Sequence, residues 1–259
     1  MATEPELLLV TEKTTSVDTD RPRPEWMHHG SFLVFRKLEQ NVDAFHDLVA
    51  QNYDKYDCAT PAHLGAKLMG RWPNGAPIAM PTFAASEKGF ELAKHTNDFT
   101  YEPLTSSTPP SSTPPSKHEP RLCPLSAHIR KTNPRSGVDP NHSDRGLALT
   151  RIIRHGIPYG PEPRASKGDG LKRRGLLFAC YQGSIEFGFK LMQADWCNNE
   201  SFPRGGVGID PIVGQHKVPA KMRALVVEGR EQEKGHLPIR TRLVRFRGGE
   251  YFLRRRLRR

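Results

Sequence analysis

The sequence has few apolar residues and no long apolar run. Apolar residues make up 36% of the 259 residues, which is low for a globular domain. No run is long enough to span a bilayer. The short apolar patch Leu7–Val10 follows acidic residues, unlike a secretory signal peptide. These absences predict a soluble, cytoplasmic chain with no membrane partner, although secretion of a full-length form stays open.

Cysteine is also scarce, at four residues. No two of the cysteines form a Cys-x-x-Cys pair, which argues against a structural zinc site. Four thiols are too few for the disulfide framework of a small secreted domain. The cysteines are Cys58, Cys123, Cys180 and Cys197.

Acidic residues are outnumbered, with 28 Asp and Glu against 39 Lys and Arg, for a formal net charge of +11. Such an excess favours anionic partners, so a nucleic-acid-binding protein is one alternative. No zinc-finger spacing, helix-turn-helix pattern or aromatic RNA-binding motif supports it. Part of the excess comes from the basic tail 254–259.

Proline and glycine are abundant, at 23 and 22 residues, which predicts long loops. The low-complexity stretch at 103–120 contains SSTPPSSTPPSKHEP and is predicted to be a disordered insertion. Residues 1–24 are interpreted as a remnant or connector. The main domain is predicted over 25–253, followed by the tail.

Hydrophobic periodicity predicts an α+β fold with an antiparallel sheet and helices on one face. Alternating or short β-prone runs predict strands, and apolar residues at helical spacing predict helices. The predicted strands are Ser31–Arg36, Ile152–Ile157 (ended by Pro158), Leu176–Tyr181, Leu225–Val227 and Thr241–Leu253. The predicted helices are Leu38–Tyr53, Pro61–Met69 and Glu186–Cys197, and 205–214 is predicted to be a glycine-rich loop.

Several sequence blocks occur in a characteristic order. They are RPRPEWMHHGSFLVFRKLEQ (21–40), LGAKLMGRWPNGAPI (64–78), NDFTYE (97–102), CPLSAHIRKTNPR (123–135), RIIRHGIPYGPE (151–162), RGLLFACYQGSIEFGFKLMQADWCNN (174–199), GIDPIVGQ (208–215) and RGGEYF (247–252). Together they resemble the dye-decolorising peroxidases. The resemblance implies the dimeric α+β barrel type of fold, which has two ferredoxin-like halves. It also implies one haem b per chain, held in the C-terminal half.

The resemblance implies roles for three residues. His128, in Ala-His-Ile-Arg, which we expect to be a loop, is expected to be the axial ligand of the haem iron, since imidazole is a common ligand there. Asp210 is expected to accept a hydrogen bond from the far imidazole nitrogen. Arg154 is expected to stabilise negative charge on the departing peroxide oxygen. The alternatives are a surface histidine, a solvated aspartate and an arginine at the sheet edge.

Further residues are candidates for lining or holding the cofactor. Leu176 and Phe178 are two positions apart on a strand and so share a face. The resemblance implies that they line the distal side of the haem. Ordinary core packing is the alternative. Arg130 and Arg135 are candidates for gripping haem propionates, with surface solvation as the alternative. A further hypothesis is that aromatic residues relay electrons from reductants at the surface, with simple packing as the alternative. The candidates are Tyr159, Tyr181 and Trp196.

These inferences predict a haem peroxidase that oxidises bulky aromatic or dye-like reductants with hydrogen peroxide. The family's upstream Gly-x-x-Asp-Gly motif, whose aspartate helps to move the peroxide proton, is not found before Gly30. We therefore expect most of the first ferredoxin-like half to be missing. The alternative function is a non-catalytic, truncated haem-binding remnant. A surface left uncovered by that loss would favour homo-oligomers.

Overall fold

The computed structural model describes residues 27, 29–56, 58–79, 99, 101, 123–135, 150–161, 173–215, 224–226 and 236–254. The predictions for 1–24 and 103–120 lie outside these residues. Two compact units are present. The sheet unit comprises the described parts of 1–41, 140–194 and 243–259, and the helical unit those of 42–139 and 195–242. The single domain predicted over 25–253 stays a prediction.

The sheet unit is built on four antiparallel strands. They are β1 (Ser31–Gln40), β2 (Ile153–Tyr159), β3 (Gly175–Gln182) and β6 (Val244–Arg254), in the spatial order β2-β3-β1-β6. If these four strands are numbered 1 to 4 along the chain, the order read from β6 to β2 is 4-1-3-2. The second and third strands of the chain, β2 and β3, are antiparallel neighbours. This is the strand order of the ferredoxin-like fold. The predicted α+β class and antiparallel sheet are confirmed.

The helices are short. They are α1 (Val42–Asn52), α2 (Pro61–Met69), α3 (His128–Thr132) and α4 (Glu186–Cys197), with a 3₁₀ turn at Tyr53–Tyr56. Helix α4 is a π-helix, in which the Lys190 amide donates to the Ile185 carbonyl. A separate two-stranded ladder pairs β4 (Ala224–Val226) with β5 (His236–Pro238).

Three sequence-based predictions were wrong for physical reasons, two of them element boundaries and one the loop expected at His128. The helix predicted from Leu38 begins only at Val42, because Leu38 pairs with Leu176 on one side and Phe246 on the other. Strand β2 continues past Pro158, which is tolerated because β2 is an edge strand. His128, expected in a loop, is the first residue of α3.

Alternation along the strands divides the sheet into two faces. Arg154, Phe178 and Arg36 are on one face, where the guanidinium carbon of Arg36 lies 4.9 Å from the Phe189 ring of α4. On the opposite face Ile153 and Ile157 are 53% and 56% exposed. Helix α4 therefore packs on part of the first face through Phe189, and the apolar side chains of Ile153 and Ile157 are exposed to solvent on the second.

Candidate functional site

The most distinctive polar contact in the helical unit joins His128 to Asp210. The Nδ1 atom of His128 lies 2.7 Å from Oδ2 of Asp210. The Asp210 side chain is fully buried, whereas that of His128 is 24% exposed. These residues are 82 positions apart in the chain, so tertiary folding brings them together.

The carboxylate of Asp210 is fixed by its own loop. Its Oδ1 accepts hydrogen bonds from the amides of Ile212 at 2.8 Å and Val213 at 2.9 Å. The Asp210 amide donates to the Cys197 carbonyl at 2.8 Å. Oδ1 is thus occupied by the backbone, and Oδ2 is the oxygen left to face His128.

The surroundings of Asp210 favour its charged form. Burial alone would raise the pKa of this carboxyl, but the charge and hydrogen bond of His128 and the two loop amides outweigh burial and lower it. An ionised carboxylate only accepts hydrogen bonds, so the proton between the residues belongs to Nδ1 of the imidazole. When the imidazole is neutral, Nε2 carries the lone pair, as a metal-ligating histidine requires.

Helix α3 has little stability of its own. It is five residues long, and its N-terminal capping residue, Ala127, makes no side-chain hydrogen bond. The buried Tyr101 hydroxyl lies 2.7 Å from the carbonyl oxygen of Asn133 and 3.1 Å from that of Ile129. Burial raises the pKa of Tyr101 to about 12, so this hydroxyl remains a hydrogen-bond donor at neutral pH. Tertiary contacts therefore hold the helix that begins with His128.

A close contact with Gly70 fixes the other side of α3. Gly70 ends α2 in the left-handed conformation, with φ of 90°. A Cβ atom at this position would lie 2.3 Å from Cγ1 of Ile129. Only glycine fits both the backbone angle and the space.

The two predicted propionate ligands have different environments. The Arg130 side chain is fully buried, donates to the Cys123 carbonyl at 2.7 Å and lies over the Tyr101 ring. Arg135 is half-buried, donates to the Phe99 carbonyl at 3.1 Å and has its guanidinium carbon 4.1 Å from the Phe99 ring centre. Both guanidinium groups thus contribute to packing, and propionate binding stays a prediction.

The remaining predicted site residues belong to the sheet unit. Arg154 is exposed on β2, and Leu176 and Phe178 are half-buried on β3. The register pairs Arg154 with Cys180, which places Arg154 on the same face as Leu176 and Phe178. The shared face predicted for the last two is thus seen, while the distal role of all three stays a prediction.

Trp196 of the proposed aromatic relay is almost completely buried in the helical unit. Its ring stacks on that of Phe202, with the centroids 5.0 Å apart and the planes at 4°. This environment supports the packing role. The relay hypothesis is not tested by it.

Sequence reasoning missed one buried charge, Lys131. The side chain is fully buried, and its Nζ donates to the carbonyl oxygens of Trp196, Asn199 and Phe202 at 3.1, 2.6 and 2.6 Å. A lysine beside an arginine in a polar stretch looks like a surface residue. In the folded helix α3 it lies three residues after His128 and so on the same side of the helix, but no local pattern in the sequence indicates that helix.

These features define an α+β protein whose ferredoxin-like sheet is accompanied by a buried carboxylate that orients a histidine. No protein-family model matches the chain. Relatives of known sequence do match it. Peroxidase 2 of Mycetinis scorodonius is 35% identical over 247 residues, covering 89% of this chain and 45% of the relative. The dye-decolorizing peroxidase AauDyP1 of Auricularia auricula-judae is 35% identical over 242 residues, with the same coverage of 89% and 45%.

Solved structures agree with these relatives. An ancestral D-type dye-decolorizing peroxidase superimposes with a TM-score of 0.72 at 35% identity, covering 96% of this chain and 54% of that one. A fungal DyP-type peroxidase from Auricularia auricula-judae gives 0.70 at 33% identity, covering 92% and 54%. The chain belongs to the dye-decolorizing peroxidase family.

The match is limited to a part of the relatives. The chain spans about half the length of the curated relatives that it matches, at 45% of each of the first two. Among the helices of the described residues, none combines the length and the apolar character needed to cross a bilayer.

Proposed function

We propose that this chain binds haem through Nε2 of His128 and acts as a peroxidase on bulky, dye-like reductants. The observation that carries the proposal is the 2.7 Å contact between Nδ1 of His128 and the buried carboxylate of Asp210. A carboxylate in this position fixes the imidazole tautomer and makes the ring a stronger ligand. Family membership supports haem b as the cofactor, at one per chain.

The described residues fit such a cofactor. Iron in haem takes a neutral imidazole nitrogen as an axial ligand. The Nδ1 atom of His128 is occupied by Asp210, and Nε2 has no hydrogen-bond partner within the described ranges. The side chain is 24% exposed, so Nε2 is not sealed in a packed core. When bound, haem supplies the two-electron reduction of hydrogen peroxide and the one-electron oxidation of organic reductants.

The protein residues supply orientation and charge. Asp210 holds the proton on Nδ1 of His128 and, as an anion, increases electron donation by the ring. Arg154 is proposed to stabilise negative charge on the departing peroxide oxygen, because a fixed guanidinium is a strong electrostatic partner for an oxyanion. Leu176 and Phe178 are proposed to exclude water beside it, and Arg135 and Arg130 to pair with propionates.

The test is a hemin titration followed by Soret absorbance. Wild type is expected to shift the Soret band with saturation at one hemin per chain, and His128→Ala to lose the shift. Added imidazole should restore it in His128→Ala. His46→Ala, in which an exposed histidine of α1 is removed, is the matched control. Equal titrations for wild type and His128→Ala would refute the ligand assignment.

Catalysis is tested separately from binding. The hemin-loaded chain is expected to bleach an anthraquinone dye with hydrogen peroxide faster than the same concentration of free hemin. Arg154→Leu should lower that rate without changing hemin affinity. Bleaching no faster than free hemin, together with intact binding, would favour the alternative of a non-catalytic haem-binding chain.

A further inference from the structure

The backbone between Trp196 and Asp210 forms a loop that carries Asp210, one member of the His128–Asp210 pair. Asp210 is tied to its start through the hydrogen bond from the Asp210 amide to the Cys197 carbonyl at 2.8 Å. The Gly208 amide donates to the Glu200 carbonyl at 3.0 Å. The loop is therefore closed on itself, and these two hydrogen bonds join the segment 196–202 to Asp210 and Gly208.

Lys131 attaches this loop to the helix of His128. Its Nζ makes three hydrogen bonds, one to each of three loop carbonyls, at 3.1 Å to Trp196, 2.6 Å to Asn199 and 2.6 Å to Phe202. An ammonium group has three donors and no acceptor, so the three carbonyls satisfy it completely. This number of partners is what full burial of a cation demands.

We propose that Lys131 is a positioning residue, which locks the loop of Asp210 to helix α3 and thereby sets the hydrogen bond between Asp210 and the His128 imidazole. Three observations support this role. The helix is too short, at five residues, to orient His128 alone. Lys131 is fully buried, and each of its three donors bonds a loop carbonyl, which offsets its cost of desolvation. The other contacts described for the α3 segment, from Tyr101 and Gly70 to Ile129 and Asn133 and from Arg130 to Cys123, are made with residues outside 196–210.

Electrostatics point in the same direction. Burial lowers the pKa of Lys131 to about 8, although Cys197, Asp210 and Glu200 act to raise it. The interaction with Asp210 means that the ammonium and the carboxylate affect one another. At neutral pH the lysine is therefore a cation, so its three hydrogen bonds to the loop carbonyls are charge-assisted.

The test uses the apo chain, so that it does not depend on haem binding. The ¹⁵N chemical shifts of the His128 ring report which nitrogen carries the proton. Wild type is expected to show protonated Nδ1 and unprotonated Nε2 at pH 7.5. In Lys131→Met, which has similar length but no donor, we expect the signals to move towards a mixture of both tautomers. Lys190→Met, which removes an exposed lysine of α4, should leave the His128 signals unchanged.

A second variant separates positioning from general stability. Lys131→Gln retains two amide donors, so it should fold better than Lys131→Met and keep the wild-type tautomer more fully. A folded Lys131→Met with wild-type His128 signals would overturn the proposal. Loss of folding in both variants would overturn it too, since Lys131 would then be needed for the fold as a whole.

The inference rests on the proposed function only for its consequence in the haem-bound state. There, Lys131→Met should lower the iron–histidine stretching frequency of the ferrous form, in the same direction as Asp210→Asn. If hemin does not bind to wild type, the proposed function fails, while the ring signals of the apo chain still decide the role of Lys131.

Discussion

Replacing Asp210 by asparagine tests the chemistry of the site with a change of one atom. The oxygen Oδ1 accepts two loop amides, from Ile212 and Val213, so the amide oxygen of asparagine must take that place. The Nδ2 group then faces Nδ1 of His128, where Oδ2 now lies at 2.7 Å. Two donors cannot share a hydrogen bond. We therefore expect the imidazole proton to move from Nδ1 to Nε2, the atom proposed to bind iron.

The expected magnitude follows from the bond that is lost. A hydrogen bond to a charged group contributes about 1.5–3 kcal/mol, and about 1.4 kcal/mol corresponds to tenfold in affinity. Hemin affinity at pH 7 should thus fall by about 10- to 100-fold, the range typical of residues that orient a metal ligand. The assay is a Soret titration of Asp210→Asn against wild type. Asp195→Asn, at an exposed position on α4, is the control.

The reasoning would be refuted by two results. Unchanged hemin affinity in a folded Asp210→Asn chain would mean that the tautomer does not control binding. Ring ¹⁵N signals that keep the proton on Nδ1 in that variant would mean that the amide group had turned, against the two backbone donors. Asp195→Asn should behave as wild type in both measurements.

The same substitution has a pH dependence with a defined sign. The pKa of Asp210 is lowered from its ordinary value of 3.8, so the folded state binds the proton less readily than the unfolded state. Its contribution to the free energy of unfolding is present above that value and is lost as the pH falls through the lower folded pKa. In urea unfolding, the difference in the free energy of unfolding between wild type and Asp210→Asn should have its largest value at pH 7 and should decrease below about pH 4.

Two further predictions concern stability and reactivity. Gly70→Ala should destabilise the chain by about 2–5 kcal/mol, from about 1–2 for the left-handed backbone and about 1–3 for the clash with Ile129. At Gly75 the φ is 89° and nothing lies within 4 Å of a Cβ, so Gly75→Ala should show the backbone cost alone. Equal losses of stability in the two variants in urea unfolding would contradict the clash. Cys180 is fully buried, and burial raises its pKa to about 12. At pH 8 it should therefore resist iodoacetamide in the native chain and react only in urea. Equal labelling of Cys180 in both conditions, measured by peptide mass spectrometry, would disprove this.

The strands of the sheet could be predicted because their signals are local. The run Ser31–Arg36 is short, apolar and β-prone, and the structure extends it only to Gln40. The extension could not be predicted, because the continued pairing of Leu38 depends on two partners, Leu176 and Phe246, that are distant in sequence. Local pattern thus identifies an element, while its end depends on neighbours in the sheet.

The short helix of His128 had no local signal of this kind. It has five residues and no side-chain cap, and isolated helices of that length do not form in water. Its contacts with Tyr101 and Gly70 connect segments separated by long stretches of chain. Periodicity cannot reveal such contacts, so the expectation of a loop at His128 was reasonable from sequence and wrong in the fold.

The contact between His128 and Asp210 was suggested by family resemblance, and the reason for its geometry is visible only in three dimensions. Asp210 is fixed by amides of its own loop, and His128 by a helix that lacks stability alone. A 2.7 Å hydrogen bond between two such segments requires something that holds them together. Lys131 meets that requirement, since one buried ammonium joins the helix to three carbonyls of the loop. A residue that resembles ordinary surface charge in the sequence therefore explains how the hydrogen bond between His128 and Asp210 is maintained.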